Sequence, residues 1–168
     1  MPKGVHLLAT RKTLWGLLDK RAVTLGGGGT HRLHLGDAIL IKENHIALTP
    51  DLKQSLKRTF KRSKKVRFIE IEFESPEEVK SFLAIYEKMK KLLPEGDEVI
   101  VMLDNFTPAD IRKVIKPLTE AGLLVELSGG INEKNISRFN IAGISAISSG
   151  SITSRAPNLD FSLEIIDK

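Results

Sequence analysis

The stretch Glu98-Val99-Ile100-Val101-Met102-Leu103-Asp104-Asn105-Phe106-Thr107-Pro108-Ala109-Asp110 decides the fold. Its apolar run, Val99 to Leu103, has the length of a strand and no polar alternation, as expected of a strand covered on both faces. Thr107 then stands as an N-cap, Pro108 at the first helical position and Asp110 in the first turn, so a helix starts directly afterwards. A strand that leads into a helix through a short polar turn is the repeating unit of a parallel α/β sheet.

Working outward, the same unit recurs. Candidate strands are Val5 to Ala9, Ala22 to Leu25, Ala38 to Ile41, Arg67 to Phe73, Glu98 to Leu103, Leu123 to Leu127 and Ile144 to Ser148. Between two of them, Val79, Phe82, Leu83, Tyr86, Met89 and Leu93 fall on one face of a helix that Ser75-Pro76-Glu77-Glu78 opens. The pattern predicts a TIM-like (β/α) barrel, open or incomplete, with about six to seven parallel strands. An open doubly wound sheet is the other outcome. The barrel domain is expected over 1–155. Residues 156–168 form a tail in which Phe161 to Ile166 alternates like an edge strand.

The chain has 168 residues, 41% of them hydrophobic, which suits one globular domain. It has no Cys, and this excludes disulfide staples, thiolate metal sites and thiol catalysis. Its net charge of +5 favours anionic partners without choosing among them. Apolar runs are too short to span a bilayer, and no secretory leader pattern opens the chain, so a cytoplasmic protein that does not enter a membrane is expected. His6, His34 and His45 show no zinc spacing. The basic run from Lys53 to Arg67 includes Lys57, Arg58, Lys61, Arg62, Lys64 and Lys65 but only one aromatic, Phe60. It reads as a solvated helix face, and no nucleic-acid partner is expected.

In parallel α/β folds the chemistry sits at the C-terminal strand ends. Arg11, Lys12, His31, Arg32 and Lys42 would converge there on a polyanion, with Arg recognising carboxylate or phosphate bidentately. Glu72 and Asp104 suit Mg²⁺ or a developing positive centre on a sugar; capping a helix or pairing with the basic cluster is the alternative. Glu70 and Glu74 share the strand parity of Glu72, so an interior carrying all three is not purely apolar. Ser128-Gly129-Gly130 and Ser149-Gly150-Ser151 are small-residue turns of the kind that grip phosphate, or plain turns. Gly26-Gly27-Gly28-Gly29 lacks dinucleotide spacing and reads as a flexible loop that orders over substrate.

Taken in order, these segments resemble the catalytic domain of the decarboxylating quinolinate phosphoribosyltransferases, also called nicotinate-nucleotide pyrophosphorylases. Thr10 to Thr13 is similar to the family's TRKT, Gly26 to Arg32 to GGGxNHR, and Leu40 to His45 to LIKDNH. Glu70 to Glu72 is similar to EVE, Met102 to Asn105 to LDN, Glu126 to Gly130 to ExSGG, and Ile147 to Thr153 to the last glycine turn. The resemblance implies an NAD-biosynthetic pentosyltransferase that joins quinolinate to phosphoribosyl pyrophosphate and releases pyrophosphate and CO₂. It implies that Arg11, His31, Arg32 and Lys42 bind quinolinate. Lys12, Glu72 and Asp104 would be catalytic, with Mg²⁺ at Glu72 and Asp104. Lys12, Asn105, Ser128, Gly129, Gly130, Ser149 and Gly150 would hold phosphoribosyl pyrophosphate.

The chain departs from the pattern at Thr30, Glu43 and Ser154-Arg155, and at Leu14-Trp15-Gly16 after the first motif. The family also places about a hundred residues ahead of Thr10, including a separate domain with a substrate-binding arginine. The resemblance therefore implies a homo-oligomer or a partner supplying that domain, and impaired activity for the chain alone. A non-catalytic phosphate-binding barrel and a relative of the molybdenum-utilisation group are the alternative readings.

Overall fold

The computed structural model describes residues 4–49, 51–62, 66–93 and 98–166. Six parallel strands form one sheet: β1 (His6–Ala9), β2 (Ile39–Ile41), β3 (Ile69–Phe73), β4 (Val99–Asp104), β5 (Leu124–Ser128) and β6 (Ala146–Ser149). Their order is β1-β6-β5-β4-β3-β2. The last strand returns to the first while β1 and β2 form the two edges, which is the cyclic order of a (β/α) barrel left open at one seam.

Among the described residues, five α-helices accompany the strands: α1 (Leu17–Leu25), α2 (Glu43–Ala47), α3 (Leu52–Arg62), α4 (Pro76–Met89) and α5 (Pro108–Glu120). Both start signals act as read. The Ser75 hydroxyl accepts from the N–H of Glu78 while the Glu78 carboxylate accepts from the N–H of Ser75, and the Thr107 hydroxyl accepts from the N–H of Asp110. On α4 the buried set is Val79, Phe82, Tyr86 and Met89, four of the six predicted positions; Leu83 is half-buried, and Leu93, also half-buried, lies beyond the end of the helix.

The two faces of the sheet differ in kind. Ile69, Ile71, Phe73, Val101, Leu103, Val125, Leu127 and Ile147 point outward and are buried against the helices, where the Phe73 and Phe82 rings meet at a tilt of 42° with centroids 5.2 Å apart. Successive strand residues alternate faces, so the register Glu72↔Met102↔Glu126 and Asp104↔Ser128 places the polar residues together on the inner face. The hydrophobic core thus lies between sheet and helices, which leaves the inner face for chemistry.

Three expectations are corrected. Ala22 to Leu25 is not a strand but the last turn of α1: the N–H of Gly26 bonds the carbonyl of Ala22, and Val23 is buried one turn after Lys20. The strand-like piece comes later, where Gly29 donates to the carbonyl of Leu7 at 2.8 Å and accepts from the N–H of Ala9 at 2.9 Å. Gly28 and Gly29 therefore lie along the edge of β1 rather than in a loose loop. Side chains are excluded there, since a Cβ on Gly28 would come within 2.7 Å of Val23. Finally, Phe161 to Ile166 forms no strand; Phe161 is 85% exposed, and the β1 edge next to the gap already pairs with Gly29.

The basic face of α3 is as read. Leu56 and Phe60 are buried, which removes Phe60 as a platform for base stacking, while Lys53, Lys57, Arg58 and Lys61 are exposed. Lys64 and Lys65 lie outside the described residues. No helix among the described residues is long and apolar enough to cross a membrane.

Candidate active site

At the C-terminal ends of β1, β4, β5 and β6 lies a cleft of about 380 Å³, lined by Thr10, Lys12, Asp104, Asn105, Ser128, Gly129, Gly130, Ser148, Gly150, Ser154 and Arg155. It unites four of the segments singled out by sequence, those around Thr10, Asp104, Ser128 and Gly150. Thr10 closes the seam between β1 and the turn after β6 through a 3.2 Å contact of its hydroxyl with that of Thr153.

The interlock of Asn105 with Gly129 shapes the floor. Asn105 takes a left-handed conformation, φ 57°, and its N–H donates to the carbonyl of Ser128 at 3.0 Å. Gly129, at φ 97°, passes so close that a Cβ would stand 2.5 Å from the Asn105 nitrogen. Only glycine satisfies both the angle and the approach. Gly130 has φ 62° but open space on its Cβ side.

The turn after β6 differs from expectation in its serines. Strand β6 runs through Ser149, so alternation turns Ser148 into the cleft and Ser149 away from it. The Ser149 hydroxyl is buried and donates to the carbonyl of Ile131, with Ser151 Oγ 2.7 Å away. Ser149 thus holds the turn while Ser148 faces the ligand space. The elements that follow these two turns are single 3₁₀ turns, Ile136–Phe139 and Gly150–Ile152. What faces the cleft there is turn backbone and the cation Arg155, whose guanidinium lies over Gly150.

Lys42, at the end of β2, reaches across to β3, where its Nζ lies 2.7 and 2.6 Å from the two carboxylate oxygens of Glu72. Burial nevertheless pushes the Glu72 carboxyl up, with Asp104 adding to the effect. Both Glu72 oxygens are engaged, so Glu72 does not suit a metal in this arrangement. Asp104 does: it lines the cleft, half-buried, and among the described residues only its Oδ2 is occupied, by a 2.8 Å bond from the Asn105 amide. A Mg²⁺ bound through one carboxylate and substrate phosphates fits that donor set.

His31 is turned inward. It is buried at φ 49°; its Nδ1 accepts the N–H of Arg32 at 2.6 Å, and its Nε2 lies 2.9 Å from Glu70 and 3.5 Å from Glu126. Burial lowers the His31 pKa, so the neutral ring carries its proton on Nε2, facing the carboxyls. These three side chains bring ligand atoms within 4.8 Å of one another. With Nδ1 accepting, however, Nε2 offers no lone pair, so the set suits proton sharing rather than a metal. His31 therefore supports the interior instead of presenting a nitrogen to the mouth as expected.

Burial, then the neighbouring carboxyl of Glu70, pushes Glu126 up to about 8, and burial pushes Glu70 up to about 8. The Ser148 hydroxyl donates to Glu126. A folded-state carboxyl raised above its unfolded value holds a proton the unfolded chain has released. Its stabilising contribution is complete below about pH 4.5 and is lost as pH rises through about 8. Thermal melts should show the Tm falling across that window, and Glu126→Gln, which mimics the neutral acid, should flatten the fall. An unaltered slope in the variant would refute the buried acid.

Sequence reasoning missed Glu70 and Glu126 as a pair, Ser148, and Lys20, which is buried on α1. The first two were visible as polar residues sharing strand parity with Glu72 and Ser128.

Residues 2–164 match the family described as quinolinate phosphoribosyl transferase, C-terminal domain. The chain is 37% identical to the probable nicotinate-nucleotide pyrophosphorylase (carboxylating) of Methanothermobacter thermautotrophicus, a match covering 97% of this chain and 57% of that protein. It is 30% identical to the Homo sapiens nicotinate-nucleotide pyrophosphorylase (carboxylating), covering 97% and 52%. Among solved structures, a NadC deletion mutant superposes with a TM-score of 0.80 at 34% identity over 96% of this chain and 53% of that one. NadC from Streptococcus pyogenes gives 0.77 at 32%, with coverage of 96% and 53%. The chain spans a little over half the length of these relatives. A family match along nearly its whole length, on an open barrel with the cleft at the strand ends, establishes that the chain belongs to the quinolinate phosphoribosyl transferase C-terminal domain family.

Proposed function

We propose that this chain forms the phosphoribosyl-transfer site of a quinolinate phosphoribosyltransferase. The carrying observation is the cleft itself, in which one lysine, one half-buried aspartate, two glycine turns and Arg155 surround a volume suited to a phosphorylated ribose. The turns after β5 and β6 offer backbone N–H groups to the 5′-phosphate, and Arg155 supplies a cation beside Gly150. Arg155 and Ser154 stand where the family has His-Ser, so the phosphate charge is met here by a guanidinium.

Lys12 and Asp104 both line the cleft. Lys12 is placed to neutralise the departing pyrophosphate; Asp104 and Glu72 stabilise positive charge growing at C1′. Mg²⁺, held by Asp104 and the pyrophosphate, would add charge neutralisation on the leaving group. The quinolinate nitrogen attacks C1′ with its lone pair as the C1′–O bond breaks towards pyrophosphate. The resulting pyridinium then draws in the electrons of the C2–carboxylate bond, CO₂ departs, and C2 takes a proton from solvent. Catalysis is by positioning and electrostatics, with no covalent enzyme intermediate.

Arg11, Arg32 and Lys42 remain for the dicarboxylate, Lys42 being shared with Glu72. Arg11 is exposed and Arg32 half-buried, with a long 3.4 Å bond from its guanidinium to the carbonyl of Ala38. Calorimetry on the 168-residue chain tests the reading. Quinolinate should bind more tightly than the monocarboxylate nicotinate; equal affinities would overturn the dicarboxylate assignment.

A further inference from the structure

Lys20 belongs to none of the motifs, yet it is only 4% exposed. Its Nζ donates to the carbonyl of Ala9 at 2.7 Å and to the carbonyl of Thr30. Ala9 ends β1 and leads through Thr10 into Arg11-Lys12, while Thr30 leads directly into His31-Arg32. A single ammonium therefore clamps the roots of both segments that carry the basic pairs. The neighbouring buried position on α1, Val23, is apolar and packs against Gly28, so burial of this face does not by itself call for a charge. A buried ammonium is costly unless its donors are used, and here they tie together two adjacent loops at the β1 edge of the open seam.

We propose that Lys20 is a positioning residue for the dicarboxylate: by holding both carbonyls it fixes Arg11 relative to Arg32 and so sets the affinity of the mouth for a pyridine dicarboxylate. The inference rests on the quinolinate reading above. The electrostatics give it a signature of its own. Burial, then the like charges of Arg11 and Arg32, bring the Lys20 pKa down to about 8, opposed by Asp37 and Glu126. A dianion seated on the two arginines offsets that repulsion, so quinolinate binding near pH 8 should take up protons, up to about half a proton per ligand.

The test compares the unsubstituted chain with Lys20→Met, which keeps an unbranched stem and removes the ammonium. Backbone hydrogen exchange should quicken in 10–13 and in 30–33 while β3 to β5 keep their protection. The quinolinate Kd should rise about tenfold or more, whereas ribose 5-phosphate, held by the turns after β5 and β6, should bind within about twofold of the unsubstituted chain, a selectivity that general loosening would not produce. Calorimetry at pH 8 in two buffers of different ionisation enthalpy should show clearly greater proton uptake in the unsubstituted chain than in the variant, where only the carboxyls of Glu70 and Glu126, also near 8, remain to take up protons. Quinolinate binding that is equally tight in both proteins would overturn the role of Lys20. Failure of the unsubstituted chain to bind quinolinate at all would overturn the dicarboxylate reading instead. Should Lys20→Met not fold, the unsubstituted chain still tests the proposal: binding of quinolinate without proton uptake at pH 8 refutes it.

Discussion

Gly129→Ala is expected to lose measurable binding of phosphoribosyl pyrophosphate and to lower stability as well. The backbone at this position has φ 97°, outside the range an L side chain adopts without strain, and a Cβ there would press on the Asn105 nitrogen at 2.5 Å. The conformational cost alone is about 1–3 kcal/mol. The contact adds to it, because relief requires moving backbone rather than the end of a side chain. The movement separates the ends of β4 and β5, where the N–H of Asn105 bonds the carbonyl of Ser128. Asp104, Asn105 and Ser128 then lose their common geometry. Gly130→Ala is the internal control: its φ of 62° lies in the left-handed region alanine visits at a cost of about 1–2 kcal/mol, and its Cβ direction is open. Denaturant melts and calorimetry should rank the two variants clearly, and equal losses would show that the close approach to Asn105 is unimportant.

Lys12→Ala should weaken phosphoribosyl pyrophosphate binding by about 10- to 150-fold, the equivalent of one charge-assisted contact at about 1.5–3 kcal/mol. Stability should change little, because Lys12 is exposed. Removing the cation leaves the phosphate turns intact, so ribose 5-phosphate should bind nearly as before. That difference separates the pyrophosphate end of the cleft from the 5′-phosphate end. If both ligands weakened alike, Lys12 would sit at the wrong end of the substrate in this account.

Much of this was legible in the chain itself. The strand and helix starts around β4 and α5 follow from an apolar run and a Thr-Pro cap, local features that tertiary packing reinforces. Lys12 and Asp104 were found because strand ends collect chemistry in parallel sheets, whereas Arg155, beyond the last turn, stood out only as a departure from the family pattern. The failures have equally physical causes. Ala22 to Leu25 is too short for periodicity to separate strand from helix, and only the hydrogen bond from Gly26 back to Ala22 decides it. Ending β6 at Ser148 rather than Ser149 made Ser149 look like the first turn residue, whereas a strand one residue longer gives Ser148 to the cleft and Ser149 to the fold. His31 appeared as one member of a basic pair, but its backbone conformation turns the ring towards Glu70 and Glu126, which lie far away in sequence. Lys20 was hidden because a lysine on a short helix ordinarily points to solvent; its burial comes from two loops folding over it.

The most direct test of the central claim, that this chain carries the phosphoribosyl site, is ³¹P NMR of phosphoribosyl pyrophosphate with Mg²⁺ titrated with the 168-residue chain. The account predicts saturable shifts of both the 5′-phosphate and the pyrophosphate resonances, with the 5′-phosphate shift lost in Gly129→Ala and the pyrophosphate shift reduced in Lys12→Ala. Resonances that stay unshifted at millimolar chain, or that shift identically in all three proteins, would contradict it.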